Sequence, residues 1–337
     1  MSHPDMQPSW IDAPHRCASL GRFRLESGEY IDDLLMSHVV HGDLDDRSRP
    51  IVLGVCAIGS THHRLDFLIG AGRAFDPARV TVIVADALGN GLSSSPSNSA
   101  TQGGSSFPRF TIRDMVNSQK ALLDHLNIDA LDAVAGASMG GMQALQWGVS
   151  YPRFMKKLVA LVPMAKTTAW SQAVNQAGRR ALETSGDWRA WLAIMHVLAM
   201  RTPERFEEDA ARAGGTHAWL DKRAAWFRTQ RLDPLDWIWQ SHAYDAHDVG
   251  TTPGFEGDTA RALASIEAHT LIGVPALDLY NPVEEGVRAA QQIGNATLLR
   301  VPSTSGHMMA SEADAASAAQ LNAEIASFMG YSRESAS

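Results

Sequence analysis

The chain has 337 residues, of which 45% are hydrophobic and 20% charged, and its formal net charge at pH 7 is -8. That is enough apolar sequence for a large core, and an acidic balance with no Lys/Arg-rich run argues against a nucleic-acid partner. Its two cysteines, Cys17 and Cys56, make neither a disulfide framework nor a zinc-ligand spacing.

The cysteine usage fits a reducing compartment. The N-terminal stretch lacks a basic segment followed by an apolar one, and no apolar run is long enough to cross a membrane, so a cytoplasmic chain is expected. Length alone suggests about two domains, although α/β folds often place this many residues in one core with an insertion.

Residues 1–20, rich in Pro, His and Ser, read as a flexible arm. Strands are predicted near 22–27 and 36–41, separated by Ser27-Gly28-Glu29-Tyr30. Residues 50–56 form a short apolar run entering a glycine loop, and 79–86 are rich in β-branched residues. The Gly/Ser stretch 87–106 reads as a functional or mobile loop. An amphipathic helix is predicted over 111–128, with Thr111 as cap and Asp114 three residues on. A strand at 131–137, a helix at 139–150 and a strand at 156–164 continue the alternation, which implies a parallel sheet covered on both faces. Residues 166–265 change character, with many Trp, Arg and Asp and little strand signal, and read as a helical lid insertion. Strand signals return at 269–280 and 296–303, with helices at 283–293 and 312–329. The expected organisation is thus an α/β core of residues 21–165 and 266–330, interrupted by the lid.

At the join of the predicted strand 131–137 and helix 139–150 lies Gly136-Ala137-Ser138-Met139-Gly140. A Gly-x-Ser-x-Gly turn in this setting is a nucleophile elbow: the glycines make room for a strained serine pushed out at the sheet edge, beside the positive end of a helix. An elbow requires an acid and then a histidine after later strands. Asp278 follows the apolar residues 271–277 of the strand signal at 269–280, and His307 follows the one at 296–303. Ser138 would then attack an acyl carbonyl, His307 would take its proton, and Asp278 would hold the imidazole. Asp245 and Asp248, in the expected lid, compete for the acid role. The oxyanion of such a reaction needs two N–H donors. Met139, after the nucleophile, is one candidate, and Ile58, in the loop after 50–56, is the other; that loop also reads as a simple turn.

His62 and His63 directly follow this loop and are candidates to line a pocket, although most of the 13 histidines must be ordinary surface or core residues. No His-x-x-x-His or Cys-x-x-Cys pairing suggests a metal, and the mechanism calls for no cofactor. The glycines at 70–72 and 89–91 lack a full dinucleotide fingerprint. Tryptophans 188, 191, 219, 226, 237 and 239 fit either the lining of an apolar acyl pocket or helix packing.

The segments 107–128 and 136–147 resemble the homoserine O-acetyltransferase family of the α/β-hydrolase fold. Further similar stretches lie at 69–89, 174–188, 231–248, 278–285 and 305–310, so the resemblance spans most of residues 50–310. It implies Ser138, Asp278 and His307 as the triad, Ile58 as an oxyanion donor and Arg179 as a lid arginine near the substrate. It also implies a homodimer, and an acyl-CoA donor if the enzyme is a transferase. Three positions depart from the family pattern. Where the family's early loop begins His-Ala-Leu-Thr-Gly, this chain has Cys56-Ala57-Ile58-Gly59-Ser60. Met308 stands where an aspartate that holds the substrate's amino group usually follows the histidine, and Trp237 where the family has a lid tyrosine. A cationic group without a partner is costly to bury, so these substrate-facing residues favour a different acceptor. Shorter members of the family look like ester hydrolases, which this chain resembles in those respects. The expected activity is therefore hydrolysis of a small carboxylic ester or related acyl compound, with homoserine- or serine-type O-acetyl transfer as the alternative.

Overall fold

A computed structural model describes residues 3–230 and 232–331; residues 1 and 2 of the expected arm and Arg231 of the expected lid lie outside them. Among the described residues there are ten strands, and α-helices alternate with them from β6 onward. The strands are β1 (Arg16–Ser19), β2 (Phe23–Arg24), β3 (Tyr30–Ile31), β4 (Leu35–His41), β5 (Ile51–Val55), β6 (Thr81–Ala85), β7 (Leu131–Ala137), β8 (Met155–Leu161), β9 (His269–Val274) and β10 (Ala296–Arg300). Eight of them form one sheet in the order β1-β4-β6-β5-β7-β8-β9-β10, while β2 and β3 pair as a separate ribbon. From β6 to β10 every neighbouring pair is parallel; β4 and β1 join antiparallel at one edge.

The central strands are continuous apolar runs because both faces are covered. All of β6 is buried, and so are six of the seven residues of β7. Helices α1 (Ile112–His125) and α2 (Met139–Ser150) pack side by side, α2 lying against β7 and β8. Helix α1 starts at the expected cap, where Thr111 and Asp114 exchange side-chain-to-backbone hydrogen bonds of 3.0 and 2.9 Å.

Between β8 and β9 come α3 (Ala169–Ser185), α4 (Trp188–Leu192), a π-helical turn at Ala193–Ala199, α5 (Pro203–Ala213), α6 (Thr216–Thr229), α7 (Pro234–Asp245) and α8 (Thr259–Ala264). Helix α8 packs against α2 and against α9 (Val283–Gln292), so this part of the expected insertion sits with the sheet-covering helices. The last helix, α10 (Ala315–Met329), covers the opposite face of β9 from α9. A Cβ on Gly286 of α9 would touch Ile272 and Val274, whereas one on the intervening Gly273 would approach Leu321 of α10.

The N-terminal region differs from the sequence expectation. Residues 16–19, placed there in a flexible arm, pair with β4 as an edge strand of the main sheet. Residues preceding them are tied down: Ile11 donates its N–H to Asp66 at 2.8 Å, and Trp10 stacks on His63 with ring centroids 4.1 Å apart. The strand expected at 22–27 reduces to the two residues of β2. The Gly/Ser stretch after β6 is also knitted in rather than loose. Ser93, Ser94 and Ser95 are buried, and their hydroxyls accept backbone N–H bonds from Ser37, Leu35 and Gly91 at 2.7–3.0 Å. Small hydroxyl side chains here stand in for backbone partners of the neighbouring strand.

Candidate active site

Ser138 sits between β7 and α2 with φ 61° and ψ −124°, a conformation that costs a non-glycine residue roughly 1–3 kcal/mol. Its neighbours explain how the turn closes. A Cβ on Gly136 would lie 2.3 Å from the Gly140 carbonyl group, and one on Gly140 would lie 2.6 Å from the Val55 carbonyl oxygen. Only glycines let the first turn of α2 come this close to β5 and β7.

The structure brings Ser138, Asp278 and His307 into one hydrogen-bonded chain. The Ser138 hydroxyl donates to His307 Nε2 at 2.7 Å, and His307 Nδ1 donates to Asp278 Oδ2 at 2.7 Å. The His307 and Asp278 side chains are fully buried. The other oxygen of Asp278 accepts the N–H groups of Tyr280 and Asn281 at 2.8 and 2.9 Å. Tyr280 packs edge-on against His307 and stacks on Tyr244, and the Tyr244 hydroxyl donates to Asn281. The competing aspartates are engaged elsewhere: Asp245 pairs with Arg179 and Asp248 with Lys166.

Met139 directly follows Ser138, and Ile58 lines the same cavity as Ser138. Among the described residues, no acceptor takes either backbone N–H. Two side chains that sequence reasoning missed hold this loop. Gln143 of α2 donates to the carbonyls of Cys56 at 2.8 Å and Met139 at 3.2 Å, so one amide ties both oxyanion segments together. Gln143 in turn accepts from Gln119, which accepts from the buried Trp147 indole. From the other side, Gln240 of α7 accepts the Gly59 N–H at 2.9 Å. The helical spacing of Gln119, Gln143 and Trp147 was visible, but their pairing depends on how α1 packs on α2.

Ser138 opens into a cavity of about 480 Å³ walled by Ile58, Trp188, Trp191, Phe227, Trp237 and Met308, among others. The indole of Trp237 lies against Gly59 and Gly178; a Cβ at either would come within 3.1 Å of it. Four of the six tryptophans of residues 188–239 line this space (Trp188, Trp191, Trp226 and Trp237), while Trp239 points away and donates to the Phe107 carbonyl. Polar and charged groups share the lining, among them Asn90, His196, Arg223, Asp233, Asp236 and Glu312. Burial, helped by Arg223 and Arg201, holds His196 well below its usual range and so neutral. Burial pushes Asp236 up to about 7, against hydrogen bonds from Ser97.

Of the three residues expected to bind substrate, Trp237 and Met308 line the cavity and Arg179 does not. It is buried in α3 with its guanidinium 2.6 Å from Asp245 and hydrogen-bonded to Ser241 and Gln176. Trp237 closes the wall beside Gly178, so the bulk of that residue separates the arginine's helix from the space above Ser138.

His62 and His63 are both buried, and His63 reaches the cavity wall. Although the sequence shows no metal-ligand spacing, their rings meet that of His3. His62 donates to Asp86, whose carboxylate also bonds His15 and Ser37. Burial opposes that ionisation, but the bonds outweigh it and hold Asp86 far below the usual carboxylate range.

Residues 64–312 match the family model described as the alpha/beta hydrolase fold. Over 315 residues the chain is 29% identical to a homoserine O-acetyltransferase of Nostoc punctiforme, covering 85% of this chain and 88% of that one. It is 28% identical to an ethyl acetate hydrolase of Pseudomonas veronii, with 94% and 95% covered. Among solved structures, the acetyl esterase MekB superposes with a TM-score of 0.87 at 26% identity, with 94% of this chain and 97% of that one covered. The chain belongs to the α/β hydrolase fold family. Among the described residues, no helix is long and apolar enough to cross a membrane.

Proposed function

We propose that this protein hydrolyses a small carboxylic ester through an acyl-enzyme formed on Ser138. The observation that carries this reading is the unbroken relay from Ser138 through His307 to Asp278, opening into a cavity with aromatic walls. In acylation, Ser138 Oγ attacks the ester carbonyl while its proton passes to His307 Nε2, and Asp278 stabilises the imidazolium. The N–H groups of Ile58 and Met139 receive the developing oxyanion, and Gln143 and Gln240 keep the loop that carries the first of them in place. His307 then protonates the departing alcohol. In the second half, His307 takes a proton from water, the hydroxide attacks the acyl carbon, and the acid leaves as Ser138 is re-protonated.

Helices α3 to α7 act in this reading as a lid that roofs the acyl pocket. Water rather than an amino-acid alcohol is the acceptor in this reading because Met308 and Trp237, both in the cavity wall, replace the aspartate and tyrosine of the family pattern and offer an ammonium group no negative partner, the wall's carboxylates being Asp233, Asp236 and Glu312 instead. The similarity to an ethyl acetate hydrolase over almost the whole of both chains supports the same choice. The similarity to homoserine O-acetyltransferases keeps acyl transfer as the second reading. A panel of p-nitrophenyl esters and acyl-CoA donors, run with and without homoserine or serine, separates the two. The proposal expects release of free acid from short esters, unaffected by the added alcohols. Acetyl-homoserine from acetyl-CoA, with the short esters left intact, would reverse it.

A further inference from the structure

We infer that His3, His62 and His63 form a site for a divalent transition-metal ion such as Zn²⁺, which pins the N-terminal segment to the rim of the cavity. This inference does not depend on the hydrolase reading. His3 Nε2 lies 3.2 Å from His62 Nε2 and 3.1 Å from His63 Nε2, and the three potential ligand atoms all fall within 4.8 Å of one another. Two imidazole nitrogens on a tetrahedral zinc at the usual bond length stand about 3.3 Å apart. Two of the three edges therefore already match, and the remaining one closes by a small swing of the His62 or His63 ring.

The second nitrogen of each ring determines what the converging atoms are. His62 Nδ1 donates to Asp86 at 2.9 Å, His63 Nδ1 to Asp66 at 2.7 Å, and His3 Nδ1 to the Pro4 carbonyl at 2.7 Å. With the protons placed there, the three Nε2 atoms carry lone pairs within 4.8 Å of one another. Three lone pairs this close repel unless a cation lies between them. Carboxylate and carbonyl acceptors behind ligating imidazoles are the usual outer support of a histidine metal site. Imidazole donors select zinc, cobalt or nickel over the oxygen-preferring calcium and magnesium, and three of them leave one tetrahedral position open.

The consequence lies at the pocket. Pro4, Gln7 and Trp10, which follow His3, line the same cavity as Ser138 and His63. Gln7 accepts the Trp226 indole N–H from α6 at 3.1 Å, and Asp66 holds both His63 and the Ile11 N–H. An ion on the three histidines would fix the start of this segment to the loop that carries Ile58, and its neighbours to α6.

The test uses the full chain without a histidine tag, stripped with a chelator and titrated with Co²⁺ and with Zn²⁺. Wild-type protein is expected to bind one equivalent of Co²⁺ with the visible bands of a tetrahedral nitrogen-ligated ion, and Zn²⁺ is expected to displace it and raise Tm. His3→Ala removes a ligand outside the core, so it leaves the circular dichroism unchanged. It should weaken binding by more than the roughly 10–100-fold lost with an outer-shell partner. Hydrogen exchange of residues 4–11 should slow with Zn²⁺ in the wild type and not in the variant. Equal uptake by both proteins, or none by the wild type, would overturn the inference and leave the trio as a shared-proton cluster. Ester turnover plays no part in these readouts, so a failure here is distinct from a failure of the hydrolase reading.

Discussion

Asp278 divides its two oxygens between different tasks: Oδ2 accepts from His307 Nδ1 at 2.7 Å, while the other is fixed by the Tyr280 and Asn281 N–H groups. The carboxylate is thereby aimed as well as charged. Asp278→Asn keeps the shape but presents an N–H to Nδ1 or forces the other tautomer. It is expected to lower kcat by about 10⁴, as an amide does in other triads, with little change in Tm. Stopped-flow or steady-state ester hydrolysis beside a thermal melt checks this. A near-normal rate would transfer the acid role to another aspartate.

The strained backbone of Ser138 predicts a difference between two inactive variants. Both Ser138→Ala and Ser138→Gly lose the hydroxyl and its bond to His307. Only glycine is at ease at φ 61° and ψ −124°. Urea unfolding should find the glycine variant more stable than the alanine one by about 1–2 kcal/mol. Equal stability would mean that the elbow is unstrained in solution.

Gln143 is a positioning residue, because its amide holds the carbonyls of Cys56 and Met139 rather than any reacting atom. Gln143→Leu should lower kcat by roughly 10–100-fold with KM nearly unchanged, since the oxyanion forms only in the transition state. A rise in KM with kcat preserved would show that the residue supports the pocket instead.

Asp236 sets a pH dependence of stability. Burial raises its carboxyl to about 7 in the folded protein, against an ordinary value near 4 in the unfolded chain. Between these values the folded state holds a proton that the unfolded state has released. Its contribution to stability is therefore full below about pH 4, declines as pH rises, and is lost above about pH 7. Denaturant titrations across this window should show a fall on the order of 2–4 kcal/mol that Asp236→Asn flattens. A variant with the wild-type slope would assign the effect to other groups.

The parts legible in the sequence were those encoded locally. The elbow needs small residues at fixed spacing, so Gly136, Ser138 and Gly140 announced it, and the fold's strand order then led to Asp278 and His307. The family resemblance over 107–128 and 136–147 is matched by the relatives found. What the sequence left hidden depends on partners distant along the chain. Strand β1 has four residues and is a strand only because β4 offers it an edge. Arg179 has the residue type expected near a substrate, yet Asp245 claims its charge. His3 is separated from His62 by 59 residues, and nothing in the spacing of either betrays the other.

The central claim is that Ser138 carries the acyl group. Rapid acid quenching of the protein during turnover of p-nitrophenyl acetate, followed by intact and peptide mass spectrometry, reads this directly. The account predicts the mass gain of one acetyl group on the peptide containing Ser138, building up in a burst and absent from Ser138→Ala, which should not turn over. Hydrolysis at the wild-type rate by Ser138→Ala, or an acetyl group confined to another residue, would contradict it.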